Sequence, residues 1–209
     1  LQILCHDLAN PFSSLSTFLE LASKKPTAFD KLKESMSVSI RNGIETIELV
    51  RQMRALEEKA SKLELSKFNL AQMIKESEII LDKRFADKEI SLITEIDDNC
   101  DVLVERTSFV NSVLNNVFSN AIKFSHSGAI VYARSYRDND KIILSIKDQG
   151  IGIPSDLIDS LFDFSKSTSR RGTAGEMGTG FGMPLVKKFV DAYQGSLHIN
   201  SKTKTEGSN

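Results

Sequence analysis

The chain has 209 residues, 27 Lys and Arg against 28 Asp and Glu for a net charge of −1, and 40% apolar with 26% charged residues. Such a balance sets up no basic field to gather nucleic acid or an anionic membrane surface. No apolar run reaches the roughly 18 residues that span a bilayer, so neither nucleic acid nor membrane is an expected partner of this piece. Cys5 and Cys100 are too few for a disulfide framework and lack the spacing of a zinc site, which points to reduced thiols and a cytoplasmic setting. The chain opens at Leu1 inside a periodic apolar pattern, as a fragment of something larger would.

From the start, Leu1, Leu4, Leu8, Pro11, Leu15, Phe18 and Ala22 alternate steps of three and four, the seam of an amphipathic helix. Lys24-Lys25-Pro26-Thr27 breaks it, because proline lacks an N–H and disfavours helix at the residue before it. A second helix follows with Phe29, Leu32, Met36, Ile40, Ile44, Ile47, Val50 and Met53 on one side. A lone hairpin of about 60 residues buries too little apolar area to offset chain entropy, so two copies forming a four-helix bundle are expected. A coiled-coil stalk fits the periodicity as well.

Beyond Lys62 the texture changes. Strand-like runs fall near Leu63–Phe68, Ile90–Ile96, Gly128–Tyr136, Lys141–Lys147 and Ser196–Asn200, with helical patterns around Leu70–Ala86, Thr107–Phe124 and Phe181–Tyr193. This predicts a mixed α/β domain, in which Arg137-Asp138-Asn139-Asp140 turns an antiparallel hairpin.

Four constellations carry chemistry. In His6-Asp7-Leu8-Ala9-Asn10-Pro11, His6 and Asn10 share a helical face with Asp7 beside the imidazole. A carboxylate that accepts from one imidazole nitrogen leaves the other free to attack. An interior proline costs about 3 kcal/mol or more and asks for a local bend. Asn116, Asn120 and Lys123 repeat at i, i+4, i+7, where amide oxygens suit a hard cation such as Mg²⁺ and the lysine suits phosphate, although solvated asparagines would show the same spacing. Asp148-Gln149-Gly150-Ile151-Gly152 ends a strand with glycines that admit a ligand close to the backbone, and Asp148 could accept the amino group of adenine from an apolar pocket; an ordinary glycine turn fits too. Gly175-Glu176-Met177-Gly178-Thr179-Gly180-Phe181-Gly182 leads into a helix whose free N–H groups suit phosphate. Neither GxGxxG nor GxxxxGK[ST] occurs there, so neither a dinucleotide fold nor a P-loop is supported. The polar, basic stretch from Ser165 to Ala174 suits a phosphate-covering lid.

In this order the blocks resemble the sensor histidine kinase family of two-component systems. His6 to Pro11 resembles its H-box, Asn116 to Lys123 its N-box and Asp148 to Gly152 its first glycine box, with Leu161-Phe162-Asp163-Phe164 as its F-box and Gly178 to Gly182 as its second glycine box. The resemblance implies a dimerisation and histidine phosphotransfer hairpin over 1–60, forming a dimeric four-helix bundle. It implies an α/β sandwich ATP-binding domain over 61–209, of the type shared with type II topoisomerases and mismatch-repair ATPases, its C-terminal strands truncated after an opening at Glu206-Gly207-Ser208-Asn209. It makes His6 the phosphoacceptor, Asp7 its general base and Asn10 the residue that positions water for a phosphatase reaction. ATP would be held by Asn116, Asn120, Lys123, Asp148, Gly150, Gly152, Phe162, Gly178, Thr179, Gly180 and Gly182, with Mg²⁺ on Asn120 supported by Asn116. The phosphoryl group would pass to an aspartate in the receiver domain of a response regulator.

Two positions depart from the pattern: Phe181 stands where leucine is usual, and Pro184 is tolerable only in the first turn of its helix. Hydrolytic relatives carry a glutamate one turn before the metal-binding asparagine. Asn116 stands there in this chain, which favours storing the phosphoryl group on His6 over spending it on water. A catalytically silent scaffold and an ATP-driven clamp are the competing readings.

Overall fold

The computed structural model describes residues 2–25, 29–59, 63–97, 99–164, 166, 168–176 and 178–201, and the side chains of residues 2–8, 42, 45, 49 and 52–59 lie outside that description. Helices α1 (Gln2–Lys24) and α2 (Phe29–Lys59) pack against each other as a hairpin. The expected division at residue 60 falls on residues 60–62, outside the described ones.

Within the hairpin α1 runs through Pro11 without interruption, and the opposing position on α2 is Gly43. A Cβ built there would lie 3.4 Å from the Pro11 Cβ, ordinary van der Waals contact, so a small residue lets the two helices close at the proline. Leu32, Met36, Ser39, Gly43, Thr46 and Val50 form the covered stripe of α2, while Pro11, Leu15, Phe18 and Ala22 are half-buried on α1. The apolar stripe expected from the sequence is therefore split. Ile40, Ile44 and Ile47, which periodicity put on the packing side, remain exposed at 49%, 62% and 45%.

The second part holds two sheets. β1 (Ser66–Asn69) pairs antiparallel with β3 (Asp101–Val104), while β2 (Ser91–Glu95), β4 (Ile130–Asp138) and β5 (Lys141–Lys147) form a mixed sheet in the order β2-β4-β5. β2 runs parallel to β4, and β5 returns antiparallel through a two-residue turn, Asn139-Asp140, with Asn139 at φ 52°. Asparagine tolerates that left-handed geometry, which a primed hairpin turn requires. The strand expected at Ser196–Asn200 is absent, its backbone being irregular, and β3 was not foreseen.

α3 (Leu70–Asp87) starts under an Asn69 cap that accepts from Gln72 N at 3.1 Å. A short turn, α4 (Arg106–Ser108), leads through a π-helical segment, Phe109–Leu114, into α5 (Asn115–Phe124). Glu105 caps this run by accepting from Thr107 N and Ser108 N. Burial raises the Glu105 carboxyl, but those bonds together with one from the Ser108 hydroxyl outweigh it and leave the group below its ordinary value. The core joins Leu70, Met73, Ile74, Leu81 and Phe85 of α3 to Phe118, Ala121 and Ile122 of α5 and to Val131 and Ala133 of β4. Phe85 meets Phe118 edge-on at 6.4 Å. A short α6 (Ser155–Ile158) follows β5, and α7 (Gly182–Ala192) closes the fold. Phe181, Leu185, Val186 and Phe189 make a second cluster with Val113, and α7 also approaches α2. Pro184 lies in the first turn of α7, where its missing N–H costs no helical bond.

Among the described residues no helix is long and apolar enough to cross a membrane.

Candidate functional site

The amphipathic α5 buries Phe118, Ala121 and Ile122, which turns Asn116 and Asn120 to one side together with Lys123 one turn on. The Asn116 amide nitrogen donates back to Ser112 O at 2.8 Å, and this orients its Oδ1 outward from the helix. A Cβ built on Gly182, the first residue of α7, would come within 2.8 Å of that oxygen. Asn120 is half-buried, and its amide has no hydrogen-bond partner among the described residues. Lys123 is 8% exposed, and a Cβ at Gly178 would lie 2.5 Å from its Nζ. Asn116 and Lys123 thus look onto the glycine-rich loop at Gly182 and Gly178, at approaches only glycines allow, and Asn120 stands between them along α5.

The loop after β5 closes one end. Asp148 accepts from Gly150 N at 2.8 Å, and Ile151 N donates to Phe124 O at 3.1 Å. A Cβ at Gly150 would fall 2.6 Å from Phe124 O, so glycine is required there by a backbone contact. Asp148 itself is exposed, in contrast to the apolar surroundings expected of it; one carboxylate oxygen is committed to the turn. Gly152 has φ 72°, and its carbonyl accepts from Arg170 at 3.1 Å. The Arg170 guanidinium also lies over the Phe124 ring at 5.0 Å. Burial lowers the Arg170 pKa, and the group stays cationic.

The stretch before α7 folds back on itself. Ser169 Oγ donates to Gly178 O, Thr168 Oγ1 to Gly180 O at 3.3 Å, and Phe181 N to Thr179 Oγ1 at 3.4 Å. Gly180 has φ 79° and carries the loop close past Ser169. Phe162 is half-buried, and it is Phe164, two residues on, whose ring stacks on Phe181 at 6.3 Å. His6 and Asp7 lie in the opening turns of α1, with side chains outside the described residues; Asn10, on the same helix, is exposed.

Sequence spacing gave no sign of Lys88. This residue follows the last turn of α3, is 11% exposed, and donates to Ile122 O at 2.8 Å, Lys123 O at 2.9 Å and Glu176 Oε1 at 2.7 Å. Glu176 in turn accepts from Ala174 N at 2.9 Å and, through its carbonyl, from Gly172 N at 2.8 Å. Burial pushes the Glu176 carboxyl up, but the bonds from Lys88 and from nearby backbone outweigh it and hold it below its ordinary value.

A helix bearing two amides and a lysine, set against two glycine loops beside a mixed sheet, defines the ATPase class described as histidine kinase-, DNA gyrase B-, and HSP90-like, and residues 105–208 match the model of that family. Among curated relatives, an uncharacterized sensor-like histidine kinase, ycf26, of Pyropia yezoensis is 27% identical over 95% of this chain and 33% of its own length. Sensor histidine kinase WalK of Bacillus subtilis is 26% identical over 94% of this chain and 33% of its own. Among solved structures, Acinetobacter baumannii histidine kinase AdeS shares the fold with a TM-score of 0.70 at 21% identity, covering 90% of this chain and 86% of that one. Histidine kinase ThkA, solved with response regulator protein TrrA, does so with a TM-score of 0.69 at 21% identity, covering 94% of this chain and 57% of that one. The chain belongs to the sensor histidine kinases of two-component systems. It spans about a third of the length of these two curated relatives.

Proposed function

We propose that this chain binds ATP with Mg²⁺ in the cradle between α5 and the glycine segment, phosphorylates His6, and passes the phosphoryl group to an aspartate of a response regulator. The observation that supports this most is the placement of Asn116 and Lys123 on α5, with Asn120 between them, where glycines at 178 and 182 bring the loop backbone against Lys123 Nζ and Asn116 Oδ1 more closely than any side chain would allow. The donor set suits the ligand: amide oxygens for a hard cation, an ammonium for phosphate, and a carboxylate at Asp148 for the amino group of adenine.

Mg²⁺ would neutralise charge on the phosphates. Asn120 and Asn116 would hold it, and Lys123 would carry positive charge to the same oxygens. Phosphoryl transfer asks a protein mainly for positioning and charge stabilisation, which these side chains and the N-terminus of α7 can supply. Asp7 would accept the proton of one imidazole nitrogen of His6 and so present the other as nucleophile. Asn116 occupies the place where a water-activating glutamate would stand, which favours retaining the phosphoryl group. Asn10, exposed one turn beyond His6, would position water for dephosphorylation of the regulator. The regulator as partner is carried over from the class of complex that ThkA forms with TrrA. The exposed Ile40, Ile44 and Ile47 support a second copy as the other half of a four-helix bundle, with residues 1–60 as the dimerising hairpin and the catalytic domain following, in the cytoplasm.

The test is incubation with Mg²⁺ and γ-labelled ATP. Acid-labile, base-stable label should appear on the wild type and be lost in His6→Ala, with nucleotide binding retained. Unlabelled wild-type protein under these conditions, or label surviving the substitution, refutes the assignment.

A further inference from the structure

Lys88 and Glu176 are 88 positions apart and meet under the glycine segment. The Lys88 ammonium has three donors and uses all of them. Two go to the carbonyls of Ile122 and Lys123 at the C-terminal end of α5, where a helix leaves acceptors unpaired and a cation is favoured by the dipole. The third goes to Glu176, so the charge that finishes α5 also grips the loop. Glu176 passes the restraint along that loop, because its other oxygen takes Ala174 N and its carbonyl takes Gly172 N. Thr173 adds a bond from its N–H to Lys123 O at 3.1 Å. Two residues past Glu176, Gly178 lies against Lys123 Nζ.

We propose that Lys88 and Glu176 form a latch that holds residues 172–176 down on the end of α5, making Lys88 a positioning residue that sets the distance between the Gly178 backbone and the Lys123 ammonium. The proposal rests on the nucleotide-site reading above for its functional half and on the ion pair alone for its structural half. With the latch released, the loop samples open conformations, and the fraction of molecules competent to hold triphosphate falls in proportion.

Exposed Arg171 precedes Gly172 and offers trypsin a cleavage point at the leading edge of the latched segment. Without nucleotide, folded Glu176→Ala should be nicked at Arg171 about 10-fold faster than wild type at a temperature well below the melting transition of both, because cleavage follows the locally open population. Lys88→Met should be nicked faster as well, Lys88→Arg should restore resistance, and Lys88→Met should add nothing in the Glu176→Ala background. With the fluorescent analogue trinitrophenyl-ATP, Glu176→Ala should bind about 5- to 10-fold more weakly, and the KM for ATP in His6 labelling should rise with kcat held within about twofold. Nicking of Glu176→Ala at the wild-type rate, or strictly additive effects of the two substitutions, overturns the latch. A wild type that binds no analogue instead refutes the nucleotide site, and nicking still decides the latch because it is read without nucleotide.

Discussion

Gly178 and Lys123 are in contact across the candidate site, with no space for a methyl group between the Gly178 backbone and the lysine ammonium: a Cβ would fall 2.5 Å from Nζ. The obstructed atom is the end of a flexible side chain, so Gly178→Ala should fold normally while displacing the charge. ATP affinity should drop by about 10-fold with the melting temperature unchanged. Gly150→Ala supplies the contrast, because there the Cβ meets the Phe124 carbonyl, which cannot swing aside. That variant should lose about 1–3 kcal/mol of stability in denaturant titration. Equal stability loss in both would remove the distinction.

Asp148 is exposed at the end of β5 with one oxygen holding Gly150 N, which leaves the second for a ligand. Asp148→Asn can keep the turn but would present an amide N–H₂ to the adenine amino group. ATP binding should weaken by about 10²-fold, and binding of a purine nucleotide without the 6-amino group should change far less, since the penalty comes from an unpaired donor. Calorimetric titration of both nucleotides decides it, and equal weakening takes Asp148 out of adenine recognition.

Ile44, 62% exposed on α2, stands between Ile40 and Ile47 on the uncovered stripe. A second hairpin laid on that stripe would remove it from water, and a carboxylate placed there would oppose burial strongly. Ile44→Asp should convert a dimer to a monomer in sedimentation equilibrium without loss of helical content. A wild type that is monomeric at micromolar concentration, or a variant that stays dimeric, places the interface elsewhere.

The depressed Glu176 pKa gives the latch a defined acid limit. A carboxyl held below its unfolded value stabilises the fold above that value and loses the contribution as pH falls through the folded one. The charged side chains packed nearest are Lys88, just past α3, and Lys123 on α5. The amide resonance of Ala174, which donates to Glu176, should therefore be flat near neutral pH and shift only in acid, with a midpoint below the ordinary glutamate value. A midpoint at or above that value shows a carboxyl without its ammonium partner.

Much of the geometry of the candidate site was legible because its information is local. Asn116, Asn120 and Lys123 share a face by helical pitch alone, and the glycines at 150, 178 and 182 announce close approach whatever the approaching group is. Long-range partners were not legible. Nothing in the spacing of Lys88 tells that it finishes a helix 34 residues on and meets a glutamate 88 residues on. Periodicity also merged two stripes of α2 into one, because a heptad pattern counts apolar residues without saying which neighbour covers them. Gly43 and Thr46, neither apolar and large, take the inner positions. β3 was missed since four residues give too few alternations to read, and its identity comes from pairing with β1.

The π-helical turn Phe109–Leu114 just ahead of the asparagines is the mark of one surplus residue accommodated inside an α-helix. Its length is therefore adjustable. Removing exposed Asn111 would let the segment relax to ordinary pitch and keep Asn116, Asn120 and Lys123 in phase with the glycine loops, whereas the same deletion within α5 would rotate them by about 100° per residue lost. Homologous helices that differ by a single codon at this point can thus carry the same site, and an alignment that forces a gap elsewhere in the helix would misassign its ligands.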